Sequence, residues 1–197
     1  MISAIIMASG YSKRMKKDKL FLEYRGKTLI QNTIDNVLKC GFKQIILVAR
    51  EREILQLGKE NAICVIENKN ADKGMSESIK LGLAYTDDCD GYMFFTIDQP
   101  LLNTSIINKL IEFFEQDKKY IIVPHYRGRR GSPVIFSKKF KQDLMNLEGD
   151  IGGRKIIDGC LEEVRFVDID DEKVLFDVDT QKDYETLLHW DGAEYDF

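Results

Sequence analysis

Acidic side chains stand directly after two apolar runs of this 197-residue chain, and a cluster of cations follows a third. Asp98-Gln99-Pro100 comes after Tyr92-Met93-Phe94-Phe95-Thr96-Ile97, and Asp177-Val178-Asp179-Thr180 closes an apolar stretch near 174–178. The cations lie in MASGYSKRMKKDK, residues 7–19, which follows Ile2, Ala4, Ile5 and Ile6. Ala8, Ser9 and Gly10 leave the backbone room to approach an anion, while Ser12, Lys13, Arg14, Lys16, Lys17 and Lys19 supply donors and positive charge. Carboxylates from two strand ends are hard oxygen ligands of the kind Mg²⁺ takes in ones and twos, completing its shell with water and phosphate oxygens. The pieces describe a nucleoside triphosphate held by a basic loop and a metal.

Spacing excludes two familiar phosphate motifs. Gly26-Lys27-Thr28 looks like the end of a P-loop, but the glycine that motif requires upstream falls on Phe21, and no G-x-G-x-x-G occurs. Cys40, Cys64, Cys89 and Cys160 are scattered, with only His125 and His189 to join them, so a zinc or redox centre is not expected. A formal charge of −4 argues against a general nucleic-acid binder and favours a small anionic ligand at local basic patches. No run approaches membrane-spanning length, and the expected location is the cytoplasm.

The elements that must position these groups alternate. Strands are expected at 2–8, Gln44 to Ala49, Ala62 to Ile66, Tyr92 to Ile97 and Ile121 to Pro124; helices at 28–40, 51–59, Ser76 to Tyr85 and Thr104 to Glu115. This βαβ order predicts a Rossmann-like three-layer α/β/α sandwich with a mainly parallel sheet and right-handed crossovers. Beyond it, Val134 to Phe136 reads as an antiparallel edge strand, 138–147 as a helix, 149–153 as a glycine turn, and 163–168 and 174–178 as strands. A last helix starts at Thr180, with Asp183 as a short-armed capping-box partner. Residues 1–190 are expected to form a single domain and 191–197 a flexible tail. Ligands of open parallel sheets bind beyond the carboxyl ends of the strands, which is where both acidic sites and the basic loop fall.

In order along the chain, ASGYSKRM with Lys19, GMSES at 74–78, DQPLL at 98–102, RGSPV at 130–134, GDIGGR at 149–154 and DVDT at 177–180 resemble the molybdenum cofactor cytidylyltransferases, a branch of the MobA-like nucleotidyltransferases. The family usually has glycine where this chain has Lys16, a cation that alters the loop turn or adds a phosphate contact. The resemblance implies transfer of CMP from CTP to the phosphate of molybdenum-loaded molybdopterin, with release of pyrophosphate. Such an acceptor needs no general base, because a phosphate monoester with a second pKa of about 6 is already largely dianionic at neutral pH.

By the same resemblance Arg14, Lys19 and Asp98 are the catalytic groups. Ala8, Ser9, Gly10, Gly74, Met75, Ser76 and Ser78 join Arg14 and Lys19 around the nucleotide, and Asp98 and Asp179, with Asp177, hold Mg²⁺. Arg130, Gly131, Ser132, Pro133, Asp150, Gly152 and Arg154 receive the acceptor. A molybdenum hydroxylase is the implied client; neither a nucleic acid nor a membrane is an expected partner. Rival readings are a guanylyltransferase for the same cofactor, a cytidylyltransferase of a sugar or polyol phosphate, and a non-catalytic carrier of the cofactor.

Overall fold

The computed structural model describes residues 1–12, 15 and 18–190; Lys13, Arg14, Lys16, Lys17 and the expected tail 191–197 lie outside them. Its centre is one eight-stranded sheet. Strand β1 (Ile2–Ala8) pairs in parallel with β4 (Gln44–Ala49) and β6 (Gly91–Phe95), and β4 with β5 (Cys64–Glu67). On the other side of β6 come β9 (Val134–Ser137), β7 (Ile121–Tyr126) and β10 (Val164–Asp168), giving the order β10-β7-β9-β6-β1-β4-β5. The remaining strand, β8 (Arg129–Arg130), pairs antiparallel with β7 alone. A two-stranded hairpin of β2 (Glu23–Tyr24) and β3 (Lys27–Thr28) stands apart from the sheet.

Strand periodicity explains why the sheet is covered twice. Successive side chains point to opposite faces, so Ile2, Ala4, Ile6 and Ala8 of β1 join one core while Ile5 joins the other. The same division sends Leu47, Met93 and Phe95 to the first core and Ile46, Val48 and Phe94 to the second. Helices α1 (Leu29–Leu38), α2 (Arg52–Glu60) and α4 (Thr104–Gln116) close the first with Ile34, Ile54 and Phe114. Helices α3 (Met75–Ala84), α5 (Lys141–Met145) and α6 (Arg154–Gly159) close the second with Ile79, Leu144 and Ile157. Gly82 lets α3 lie against β1: a Cβ there would fall 2.4 Å from Ile5 Cγ2.

A third, smaller core decides where the chain's end goes. Leu187 and Leu188 of α7 (Gln181–Trp190) pack with Val178, Leu22, Tyr24 and Leu29, and Tyr184 Oη donates to the Glu23 carbonyl at 2.7 Å. The expected capping box is present: Thr180 N–H donates to Asp183 Oδ2 at 2.8 Å and Asp183 N–H to Thr180 Oγ1 at 3.2 Å. This docking brings 177–179 beside the end of β6.

Three expectations change. The Val134–Ser137 strand is antiparallel but lies inside the sheet, between β6 and β7; the antiparallel edge is β8. The apolar residues near 174–178 do not make a strand: Glu172–Leu175 is a 3₁₀ turn capped by the Asp171 side chain, which accepts from Lys173 N–H at 2.9 Å, and Val178 plugs the third core. The helix expected at 138–147 is a 3₁₀ turn, Lys138–Phe140, running into the short α5. Among the described residues no helix is long and apolar enough to cross a membrane.

Candidate active site

The site is built at the carboxyl end of β1 and β6. After β6 the chain continues through Thr96 and Ile97 to Asp98, whose backbone carbonyl accepts a 2.7 Å bond from Val178 N–H. That bond stitches the two acidic segments together. Lys19 lies where they meet, its Nζ 3.0 Å from Asp98 Oδ2 and 3.2 Å from Asp179 Oδ1, with 15% of its side chain exposed. Burial alone would pull the ammonium's pKa down, but the two carboxylates outweigh it and hold Lys19 above its ordinary value. Lys19 is therefore cationic at neutral pH.

Two cavities adjoin here, sharing Met7, Met75 and Thr96 as a common wall. The smaller, of about 460 Å³, is lined by Ser9, Gly10, Lys19, Asp98 and Asp179, and on its far side by Gly74, Ser78 and Asp150. The larger, of about 770 Å³, has an apolar floor including Phe94, Val123 and Phe136, and a rim carrying Arg129, Arg130 and Arg154. A flat apolar body with an anionic group matches that second lining.

Motifs far apart in sequence close the wall between the cavities. Gly74 stands at φ 104° and ψ −177°, a conformation reserved for glycine, and a Cβ there would lie 2.4 Å from the Gly149 carbonyl carbon and 2.5 Å from Asp150 N. The turn at 149–150 thus rests directly on the start of α3, where the Gly149 carbonyl accepts from Ser76 N–H at 3.1 Å and Asp150 Oδ1 from Met75 N–H at 3.3 Å. Asp150 acts as an N-cap supplied from another segment.

The other expected site residues are distributed as follows. Ala8 is buried and lines neither cavity, Ser9 Oγ donates to the Val48 carbonyl at 3.2 Å, and Ser78 Oγ accepts from Asn68 Nδ2 at 3.2 Å. Ser76 is wholly buried and lines neither cavity. Of the residues expected to receive the acceptor, Arg130, Gly131, Ser132, Gly152 and Arg154 line the large cavity; Pro133 does not, and Asp150 lines the small one. Arg14 and the unusual Lys16 lie outside the described residues. Sequence reasoning overlooked Tyr11, Asp72 and Lys73 on the small cavity and Asp158 on the large one. Asp158 pairs with Arg130 Nη1 at 2.5 Å and Arg154 Nε at 3.7 Å, and its i,i+4 spacing from Arg154 was the available signal.

A divalent cation fits the acidic pair. Asp98 Oδ1 is buried and meets no hydrogen-bond partner among the described residues, an arrangement that costs free energy unless a cation meets it, and Asp98 and Asp179 offer hard oxygen donors. Among the described residues no three His, Cys, Asp or Glu side chains converge as a metal set. Asp177 faces the large cavity instead, where Oδ1 accepts from Gln99 Nε2 at 2.9 Å.

The cavity walls limit solvation of the Asp177 carboxyl and, helped by the charges of Asp98 and Asp179, push it up to about 6, against the Gln99 hydrogen bond and Arg129. Folding raises this pKa, so between pH ~4, the ordinary carboxylate value, and about 6 the folded state holds more protons than the unfolded chain. Stability then falls as pH rises through that window. Asp177→Asn is accordingly expected to melt above the parent at neutral pH, with the gap shrinking as the solution is acidified; melting curves of both, free of divalent ions, check this, and a gap independent of pH contradicts it.

Comparison with known proteins agrees with this geometry. The profile of the MobA-like NTP transferase domain matches residues 4–165. The molybdenum cofactor cytidylyltransferase of Escherichia coli is 27% identical over 192 residues, covering 94% of each chain. The nicotine blue oxidoreductase of Paenarthrobacter nicotinovorans is 24% identical over 196 residues, 95% of this chain and 96% of its own. Among solved structures, Rv0371c of Mycobacterium tuberculosis superposes with a TM-score of 0.84 at 27% identity over 95% of this chain and 97% of that one. The same protein has been solved in complex with manganese, with a TM-score of 0.78 at 26% identity over 95% of this chain and 98% of that one. The match over 4–165, on a fold that brings Lys19, Asp98 and Asp179 to one cavity, establishes that this chain belongs to the MobA-like NTP transferase family.

Proposed function

We propose that the protein transfers CMP from CTP to the phosphate of molybdenum-loaded molybdopterin, releasing pyrophosphate. The observation that carries this reading is the adjoining of two unlike cavities across Met7, Met75 and Thr96, one with the Lys19, Asp98 and Asp179 cluster and the other arginine-rimmed over an apolar floor. The sequence likeness to the Escherichia coli cytidylyltransferase supports the choice of nucleotide and acceptor.

In this reading an acceptor phosphate oxygen forms a bond to the α-phosphorus as the bond to the bridging β-oxygen breaks. The small cavity takes the nucleotide and the large one the acceptor, Arg129, Arg130 and Arg154 steering the acceptor's negative charge towards the shared wall. Lys19 neutralises charge gathering on the departing pyrophosphate, and Arg14 is its partner in that role. Asp98 and Asp179 would hold Mg²⁺, which supplies Lewis-acid neutralisation of phosphate charge. No side chain needs to remove a proton, so the work of the protein is alignment and fixed charge.

Titration calorimetry of CTP and GTP, each with Mg²⁺, tests the nucleotide assignment: CTP is expected to bind at least tenfold more tightly, and preference for GTP would favour a guanylyltransferase. Lys19→Ala should weaken CTP by about tenfold to a hundredfold, the scale of a lost charge-assisted hydrogen bond. Unchanged affinity would remove Lys19 from the triphosphate site.

A further inference from the structure

Resting on the nucleotide reading above, we propose that Arg50 is a positioning residue that braces the phosphate-binding loop from outside the cavity. Arg50 immediately follows β4 and stands level with the end of β1, because Ala8 and Ala49 are register partners. From there its guanidinium reaches both ends of the loop leaving β1. At the entrance Nη2 donates to the Gly10 carbonyl at 3.5 Å, and the guanidinium lies 4.3 Å from the centre of the Tyr11 ring. At the exit Nη2 pairs with Asp18 Oδ2 at 2.8 Å.

The contact continues inward. Asp18 Oδ1 accepts from Ser12 Oγ at 2.9 Å and from Leu20 N–H at 3.2 Å, and Ser12 Oγ accepts from Lys19 N–H at 3.1 Å. A chain of side chains therefore runs from Arg50 through Asp18 and Ser12 to the backbone of the residue whose ammonium meets Asp98 and Asp179. Ser12 is held at φ 48°, a left-handed conformation unfavourable for a residue with a Cβ, and its bonds to Asp18 and Lys19 fix it there.

Burial and shape both favour a bracing role. Arg50 and Asp18 side chains are only 21% and 22% exposed, so their pairing is far less screened than a surface ion pair. On its other side Nη1 meets Glu51 Oε1 at 2.5 Å, which fixes the guanidinium plane. A rigid fork can span a carbonyl, a ring face and two carboxylates at once; a lysine ammonium cannot. Arg50 lines neither cavity, so its influence passes through Asp18 and Tyr11 and not through contact with a phosphate.

Calorimetry of Mg²⁺–CTP and Mg²⁺–GTP with the parent, Arg50→Ala, Arg50→Lys, Asp18→Asn and the Arg50→Ala/Asp18→Asn double variant tests the proposal, with hydrogen exchange followed over residues 10–22. Arg50→Ala is expected to bind nucleotide about tenfold or more weakly, Arg50→Lys to recover part of that loss, and the double variant to be little worse than either single one. Exchange should rise in 10–22 and stay unchanged in α4. If Arg50→Ala does not fold, Arg50→Lys and Asp18→Asn carry the same comparison. Nucleotide affinity within twofold of the parent in the folded variants, or additive losses in the double variant, overturns the bracing role while leaving the nucleotide reading intact. A parent protein that binds no nucleoside triphosphate overturns both.

Discussion

Asp98→Asn is expected to lower nucleotidyl transfer by about a hundredfold to a thousandfold, the range seen when one preorganised charge-stabilising group is lost, with the fold intact. Asparagine keeps the side-chain volume but not the charge that a divalent ion requires. The backbone contact that joins the two acidic segments, Val178 N–H to the Asp98 carbonyl, does not involve the side chain. Lys19 retains Asp179 as an anionic partner. The substitution also removes a negative charge from a carboxylate whose Oδ1 is buried and meets no hydrogen-bond partner among the described residues, which offsets part of the loss of the Lys19 ion pair. Turnover and melting temperature measured on the same preparation check this, and near-normal turnover would take Asp98 out of the site.

Gly74→Ala should act through the fold. At φ 104° and ψ −177° a Cβ is already strained, and here it would meet the Gly149 carbonyl carbon and oxygen and Asp150 N at 2.4–2.5 Å, all of them backbone atoms that no side-chain rotation can move aside. Strain and displacement together cost about 3 kcal/mol or more, which for a chain of this size lowers the melting temperature by roughly 10 °C. The same displacement pulls the Asp150 carboxylate away from Met75 N–H and opens the wall shared by the cavities. Gly10→Ala is the control for stability: its added carbon meets nothing within 4 Å among the described residues. Thermal melts of the two variants beside the parent decide the matter, and a Gly74→Ala protein melting within 2 °C or so of the Gly10→Ala protein would contradict the packing argument.

Much of this architecture was legible because its signals are local. Short Val- and Ile-rich runs separated by helical periodicity gave β1, β4, β5, β6 and β7 and the helices between them, and the rule that ligands gather at strand ends drew attention to Asp98 and the basic loop. What escaped depends on contacts distant in sequence. Nothing in Val134–Ser137 says that it will slip between β6 and β7, and the apolar residues at 174–178 match a strand as well as they match a turn followed by the plug residue Val178. Asp177 and Asp179 would share a face on a regular strand; with no strand there, one turns to each cavity. Short α6 lacked the length for periodicity to show. The hairpin turn at Arg25-Gly26, both at positive φ, carried a readable signal in its glycine that the search for a P-loop obscured. Arg50 had no motif at all, since only the pairing of β4 with β1 brings it to the loop.

The most direct test of the central claim is pyrophosphate release by the purified protein with Mg²⁺ and molybdenum-loaded molybdopterin, offering CTP, GTP, ATP and UTP in turn. Release with CTP alone, dependent on the pterin, is the predicted result. Release with GTP in preference to CTP, or none with any nucleotide although the pterin binds, would contradict the proposal.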